Sequence, residues 1–385
     1  MQDYNLRLMR NLKIEMVDLK GQYAKIQQEI DEALLHTIRD AAFINGPQVT
    51  EFTQNLSSYL NGAYIIPCAN GTDALQIAMM ALGLEPGDEI IVPSFTYVAT
   101  AEVIGLLNLK PVMVDVNPIY FNITRENFEQ AISTKTKAIV PVHLFGQCAD
   151  MEPILALAKE YNLYVIEDTA QAIGAVYTFK DGTKKQAGTM GDIGCTSFFP
   201  SKNLGCYGDG GAIYTNNTEL AERIKMIANH GQVKKYVHKY IGVNSRLDTI
   251  QAAILNIKLK HLDEYSKARR DAADLYDKFL SGINDLITPA RAHNSTHVFH
   301  QYTVQIKNGK RDGLKKYLES AGIPAMIYYP VPLNEQEAFK SIGKVVGSLK
   351  TTEELCSTVL SLPMHTELTF DIIEKISNEI KKYFK

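Results

Sequence analysis

Lys202 follows an apolar run, Cys195 to Phe199, that stops at Pro200, and it precedes Gly205-Cys206-Tyr207-Gly208-Asp209-Gly210-Gly211. So many glycines rule out a regular element, which leaves the lysine on a turn. Aromatic neighbours can desolvate such an amine, lower its pKa and make it nucleophilic. A nucleophilic amine forms an imine with an aldehyde. Taken alone, one residue among 40 Lys and Arg is more simply a solvated loop lysine. Other stretches shift that weighting.

Val165-Ile166-Glu167-Asp168-Thr169-Ala170-Gln171 ends an apolar strand on two acids, one of which must face inward. A buried carboxylate needs a cationic partner. A protonated pyridine nitrogen would serve, and Asp168 would in turn keep it protonated. Asn70-Gly71-Thr72-Asp73-Ala74 opens a helix, where free N–H groups and the dipole can hold a phosphate. Ser197, five residues before Lys202, offers a second phosphate donor. Phe95, just past the Ile90-Ile91-Val92-Pro93 strand, could stack on an aromatic ring. Asn244 and Arg246, in Gly242-Val243-Asn244-Ser245-Arg246-Leu247-Asp248, suit anions. Each stretch has a plainer reading: a helix cap, a core aromatic, a strand serine, a solvated helix start. Together they ask for one ligand, a flat cationic heteroaromatic ring bearing a phosphate and an aldehyde. Pyridoxal 5′-phosphate has that form.

The elements that must position these residues alternate. Apolar spacing predicts helices over 18–39 and 48–60, divided by Asn45-Gly46-Pro47. Helices at 71–84, 97–107, 125–132 and 151–161 then interleave with strands at 89–93, 111–116, 137–145 and 164–167. Strands at 195–199 and 211–215 and a helix at 218–229 close the series. Such βαβ repetition predicts an α/β fold with a mainly parallel sheet flanked by helices. A helical pattern over 247–283 leads to a smaller C-terminal α/β domain, with strands at 301–306 and 325–328, a helix at 311–321 and two late helices. The expected division is 1–255, a large cofactor-binding domain with N-terminal helices, and 256–385. Residues 1–13 read as a ragged leader.

At 385 residues, with 45% hydrophobic and 22% charged residues, the chain suits two globular domains. A net charge of -3 gives no pull towards nucleic acid or anionic membrane. The five cysteines are scattered without a C-x-x-C pair, as expected of reduced thiols in a cytoplasmic protein with no metal site. No apolar run is long enough to span a bilayer.

The ordered set Gly71-Thr72, Phe95, Asp168 with Gln171, Ser197, Lys202, and Asn244 to Arg246 resembles the DegT/DnrJ/StrS-type sugar-nucleotide aminotransferases. The likeness runs from Met16-Val17-Asp18-Leu19 to Ser361-Leu362-Pro363-Met364-His365. It implies a fold-type-I pyridoxal-phosphate enzyme, a homodimer whose active sites share residues of both subunits. By position, Lys202 would hold the cofactor as a Schiff base and Asp168 would pair with the pyridinium. Phe95, where relatives often have tryptophan, would stack over the ring, and Gln171 would lie near its hydroxyl. Gly71, Thr72 and Ser197 would hold the phosphate, joined by Asn244 from the partner chain. Arg246 and, more weakly, Tyr329 are substrate-side candidates.

The finer likeness is to the branch acting on UDP-linked 3-oxo-2-acetamido uronates in O-antigen and other surface-polysaccharide pathways. It rests on residues 201–211, 242–255 and Tyr329-Pro330-Val331-Pro332-Leu333-Asn334; Tyr328 stands where that branch can carry histidine. It implies L-glutamate as donor and C3 of UDP-2-acetamido-2-deoxy-3-oxo-D-glucuronate as acceptor. Amination at C4 of a UDP- or dTDP-4-keto-6-deoxy sugar is the alternative. A dehydratase of this family would replace Lys202 with histidine. A nicotinamide reductase would need G-x-G-x-x-G after an early strand, which is missing. A non-catalytic regulator on the same fold would not need the full set of cofactor residues.

Overall fold

The computed structural model describes residues 13–385, so the expected leader lies, but for its last residue, outside the described residues. Two helices come first, α1 (Leu19–Asp40) and α2 (Pro47–Tyr59). Pro47 opens α2 at the position where its missing N–H costs nothing. Alternation follows with β1 (Tyr64–Cys68), α3 (Gly71–Leu82), β2 (Glu89–Pro93), α4 (Ala99–Leu106) and β3 (Lys110–Val114). It continues through α5 (Arg125–Ala131), β4 (Thr136–Ile139), α6 (Met151–Glu160) and β5 (Tyr164–Asp168). A hairpin, β6 (Val176–Thr178) with β7 (Lys184–Gln186), precedes β8 (Ile193–Ser197), β9 (Gly211–Thr215) and α7 (Thr218–Ala228). A second hairpin, β10 (Gln232–Lys234) with β11 (Val237–His238), leads to α8 (Thr249–Leu259) and α9 (Leu262–Leu280). The remainder is β12 (Leu286–Ile287), β13 (Tyr302–Ile306), α10 (Arg311–Ser320), β14 (Lys344–Val345), α11 (Lys350–Thr358), β15 (Val359–Leu362) and α12 (Phe370–Tyr383).

Eight strands form one sheet in the order β1-β9-β8-β5-β4-β2-β3-β14. Only β9 runs against the rest, antiparallel to β1 and β8, while the other pairs are parallel. The carboxyl ends of β1, β2, β5 and β8 therefore meet at one edge, where an open α/β sheet gathers its ligands. Side-chain parity sorts the core. Ile90, Val92, Ile166, Ile193 and Cys195 pack on one face with Leu75 and Ala78 of α3, Ile104 of α4 and Ile224 of α7. Ile91, Val112 and Val165 pack on the other with Phe128 of α5 and Ile154 of α6. Burial on both faces explains why these strands read as unbroken apolar runs. A separate three-stranded sheet, β12-β13-β15, forms a second core with α9, α10 and α12.

The strand expected over 137–145 stops at Ile139, because Pro141 has no N–H to donate and the chain enters a turn with Phe145 at φ 57. The one expected over 325–328 is reduced to a bridge between Met326 and Ser361. The helix expected over 247–283 is two, broken at Lys260-His261. The expected boundary at 255 falls inside α8, whose Ala252, Leu255 and Leu259 pack with Phe52 and Leu56 of α2. Among the described residues no helix is long and apolar enough to cross a membrane.

Candidate active site

Asp168 is the last residue of β5 and, by parity with Ile166, projects to the α3 and α4 side of the sheet. Thr100, in the first turn of α4, donates to its Oδ2 at 2.9 Å, and the Ala170 N–H donates to Oδ1 at 3.1 Å. Burial pushes the Asp168 carboxyl up, while the bonds from Ala170 and Thr100 and the charge of Lys202 pull it back. Glu167 projects to the opposite face. It accepts from Gly188, Met190 and Gly191 N–H groups at 2.9, 2.7 and 2.6 Å, and its Oε2 lies 2.8 Å from His143 Nε2. The Ala149 N–H donates to His143 Nδ1, so the ring proton sits on Nε2 and is given to Glu167. Of the two acids, Glu167 is structural and Asp168 faces the cleft.

Lys202 stands on a turn that starts three residues past β8. Its N–H donates to Phe199 O at 2.8 Å, Asn203 Nδ2 donates to Val298 O at 2.8 Å, and Cys206 N–H donates to Phe198 O at 2.8 Å. Only glycine fits at 205, where a Cβ would lie 2.4 Å from Pro200 O. Lys202 is half-buried, and among the described residues its amine has no ion pair. Desolvation by the cleft walls, the larger influence, pulls the amine down to about 8 against the opposing pull of Asp168. An amine with that pKa is partly neutral near pH 7, as nucleophilic attack on a carbonyl requires.

At the same edge, Asn70 caps α3 by accepting from Asp73 N–H at 2.8 Å. The first two helical N–H groups, on Gly71 and Thr72, have no partner among the described residues. Gly71 lies against Ser197 so closely that a Cβ on it would come 2.7 Å from the Ser197 Cβ. Parity again explains the meeting, since Ser197 shares its face of β8 with Ile193 and Cys195. The result is an anion cradle of helix N–H groups, a threonine and a serine.

Gln171 is fixed from both ends: its Oε1 accepts from Phe145 N–H at 2.7 Å and its Nε2 donates to Tyr329 OH at 3.1 Å. The Tyr329 segment comes from the C-terminal part and docks on the chain after β2, with Leu333 N–H donating to Ser94 O at 3.0 Å. Phe95 departs from expectation. It is 1% exposed, enclosed by Phe121, Phe145 and Tyr329, with no face free for a ligand ring. Tyr97, two residues on, is 56% exposed, with its ring centroid 6.2 Å from that of Tyr329. Asn244 is exposed and Arg246 half-buried, and no bond among the described residues ties either to Lys202 or Asp168. Arg246 lines a cavity of about 930 Å³ with Val49, Ile65, Pro67, Lys234 and Leu247. Lys202 and Asp168 lie outside that cavity.

The structure thus brings together Gly71, Thr72, Ser197, Asp168, Lys202, Gln171 and Tyr329; Ser245, between Asn244 and Arg246, accepts from Ala69 N–H at 3.0 Å beside the cradle, but no bond among the described residues joins Asn244 or Arg246 to that set. Thr100 and Tyr97 escaped the sequence reading. Thr100 sits 68 positions from the acid it serves, and nothing in the sequence tells that Tyr97 rather than Phe95 is the exposed ring. Among the described residues no cluster of His, Cys, Asp and Glu could hold a metal ion. The donor set does fit pyridoxal 5′-phosphate: a cradle for the phosphate, a buried acid for the ring nitrogen and a partly neutral amine for the aldehyde.

The sequence model of the DegT/DnrJ/EryC1/StrS aminotransferase family matches residues 24–381. The chain is 47% identical to the UDP-2-acetamido-2-deoxy-3-oxo-D-glucuronate aminotransferase of Pseudomonas aeruginosa, across 92% of this chain and 96% of that protein. It is 42% identical to the UDP-N-acetyl-3-dehydro-alpha-D-glucosamine 3-aminotransferase of Acidithiobacillus ferrooxidans, across 97% of this chain and 99% of that one. The crystal structure of NtdA from Bacillus subtilis with bound cofactor PMP superposes with a TM-score of 0.85. It shares 32% identity, over 94% of this chain and 82% of that one. This chain belongs to the DegT/DnrJ/EryC1/StrS aminotransferase family and is a pyridoxal-phosphate-dependent transaminase.

Proposed function

We propose that the enzyme moves the amino group of L-glutamate to C3 of UDP-2-acetamido-2-deoxy-3-oxo-D-glucuronate. It would do so in the cytoplasm, as a homodimer, for the assembly of O-antigen or a related surface polysaccharide. The observation that carries the substrate is the 47% identity, over nearly the full length of both chains, to a protein named for that reaction. The 42% identical relative is also named for amination at C3, which favours C3 over C4.

When bound, the cofactor supplies an aldehyde carbon for the amine and a ring that draws electrons from the donor's Cα. The chain's own residues do the rest. The Lys202 amine would hold the aldehyde carbon and, once freed by the donor, would take up and pass on the proton lost from the donor's Cα. Asp168 holds the proton on the ring nitrogen. Gly71, Thr72 and Ser197 bind the phosphate, with Asn244 reaching in from the partner subunit. Tyr97, whose ring is exposed where that of Phe95 is enclosed, takes the place proposed for an aromatic over the cofactor ring. Gln171 serves the ring hydroxyl. Arg246 offers its fork to an anion of the sugar nucleotide, the uronate carboxylate or the diphosphate; Tyr329 is a second contact on that side.

A stopped assay of the pyridoxamine-loaded enzyme against UDP- and dTDP-ketosugars, with the aminated carbon located by NMR, tests this reading. The 3-oxo uronate is expected to be consumed fastest. Faster consumption of a 4-keto-6-deoxy sugar would overturn the C3 assignment. Absence of any half-reaction with glutamate would overturn the enzyme reading in favour of a regulator.

A further inference from the structure

A threonine hydroxyl has one proton to give, and the direction of its hydrogen bond is set by what faces it. Thr100 Oγ1 lies 2.9 Å from Asp168 Oδ2, and a carboxylate only accepts. Thr100 is therefore the donor. It is 0% exposed, so bulk water does not compete for its proton. Its oxygen lies 3.5 Å from Thr96 Oγ1, leaving Thr96 free to donate in turn. Thr100 also sits in the first turn of α4, the end of a helix that favours negative charge. Asp168 Oδ1 has its own donor, the Ala170 N–H at 3.1 Å. Each carboxylate oxygen thus has one protein donor and keeps a lone pair for the cofactor.

We propose that Thr100 is a positioning residue, whose hydroxyl, backed by Thr96, keeps the Asp168 carboxylate charged and in one orientation for the cofactor's ring nitrogen. The inference rests on the pyridoxal-phosphate reading of this site. The groups acting on Asp168 from the surrounding elements are Lys202 beyond β8, Cys195 on β8, Tyr329 from the C-terminal part and His143 beyond β4. His143 accepts the Ala149 N–H at Nδ1 and turns Nε2 to Glu167, away from Asp168, and the thiol and phenol are pushed up by burial. Lys202 is the lysine that acts on Asp168 from this group, and in the loaded enzyme its nitrogen is joined to the aldehyde carbon. In the loaded enzyme the protonated ring nitrogen is the cation facing Asp168, and Thr100 and Ala170 are the neutral donors that fix which way its carboxylate points.

The test is the protonation of the ring nitrogen, followed by 15N NMR of labelled cofactor in the loaded enzyme across pH, with cofactor retention measured by titration of the apoenzyme. A hydrogen bond to a charged group is worth enough to move the coupled acid by about one to two pH units. Thr100→Val is therefore expected to move the midpoint of ring-proton release by about one pH unit from the wild type and to bind cofactor about tenfold more weakly. Thr100→Ser, which keeps the hydroxyl, is expected to restore both values. A folded Thr100→Val enzyme with the wild-type 15N midpoint overturns the proposal. If the valine variant does not fold, Thr100→Cys, a weak donor of similar size, must give a shifted midpoint, and a wild-type midpoint there overturns it equally. Failure of the wild type to bind cofactor would instead overturn the reading of the site as a whole.

Discussion

The Lys202 amine is the residue on which the covalent chemistry turns, and its environment sets a pH. Burial, the larger influence, brings the amine down to about 8, while the Asp168 charge pulls the other way. A lysine lowered in the folded state from its ordinary 10.5 binds fewer protons there than in the unfolded chain between pH 8 and 10.5. The cofactor-free protein therefore gains stability from this group as pH rises through that window, and loses it as the buried amine charges below. The same titration governs reactivity, because only the neutral amine attacks. The rate at which apoenzyme captures pyridoxal phosphate, followed by absorbance, is expected to rise with a midpoint near pH 8, where an exposed lysine would still be rising at pH 10. Lys202→Ala should show no covalent capture at any pH. A capture rate still climbing steeply at pH 10 would place the reacting amine elsewhere.

Elements decide which side chains can meet. β5 ends on Glu167-Asp168, and the two-residue period sends them to opposite faces of the sheet. Glu167 fastens the 188–191 turn to the strand through three N–H groups and accepts a hydrogen bond from His143 Nε2. Glu167→Gln would set an NH2 group against those buried donors, and the expected loss is about 3–5 kcal/mol in urea-induced unfolding. An effect below about 1 kcal/mol would mean that the turn does not depend on this carboxylate. That two acids end this strand was legible in the sequence; which one faces the cleft follows only from the burial of Ile166 with α3 and Val165 with α6. Gly71 and Ser197 were legible as separate phosphate donors for the same reason, a helix start and a strand end, but not as atoms in contact. Strand β1 was not legible. Pro67 lies within it, which argues against a strand, yet β1 is an edge whose outer side needs no donor. Strand β14, only two residues long (Lys344–Val345), carries too little pattern to read. That Phe95 is enclosed while Tyr97 is exposed was not legible, because the chain leaves regular strand geometry after Pro93 and parity no longer tells which ring is enclosed.

At the scale of the molecule, the proposed dimer takes one cofactor contact, Asn244, from the neighbouring subunit. Asn244 is exposed and unconnected to Lys202, and the segment before it displays apolar residues that a monomer would leave in water: Tyr236 is 82% exposed and Ile241 88%. A second copy seated there would cover them and carry Asn244 into the neighbouring site, as in the proposed dimer. Subunit complementation separates that arrangement from one in which Asn244 serves its own chain. Lys202→Ala removes the covalent anchor, with an expected loss of at least about 100-fold in rate. Asn244→Ala removes a hydrogen bond to a charged phosphate, and is expected to weaken cofactor retention by about 10- to 100-fold. Assayed at limiting cofactor, each variant alone is poor. In a mixed dimer with a shared site, the chain with Lys202 intact receives Asn244 from its Lys202→Ala partner, so one site per dimer is whole. After the two variants are mixed and allowed to exchange subunits, activity is expected to rise well above the sum of the separate preparations, towards one quarter of wild type, because half the dimers are mixed and each has one good site of two. If Asn244 acts within its own chain, no combination builds a whole site, and the mixture stays at the average of its parts.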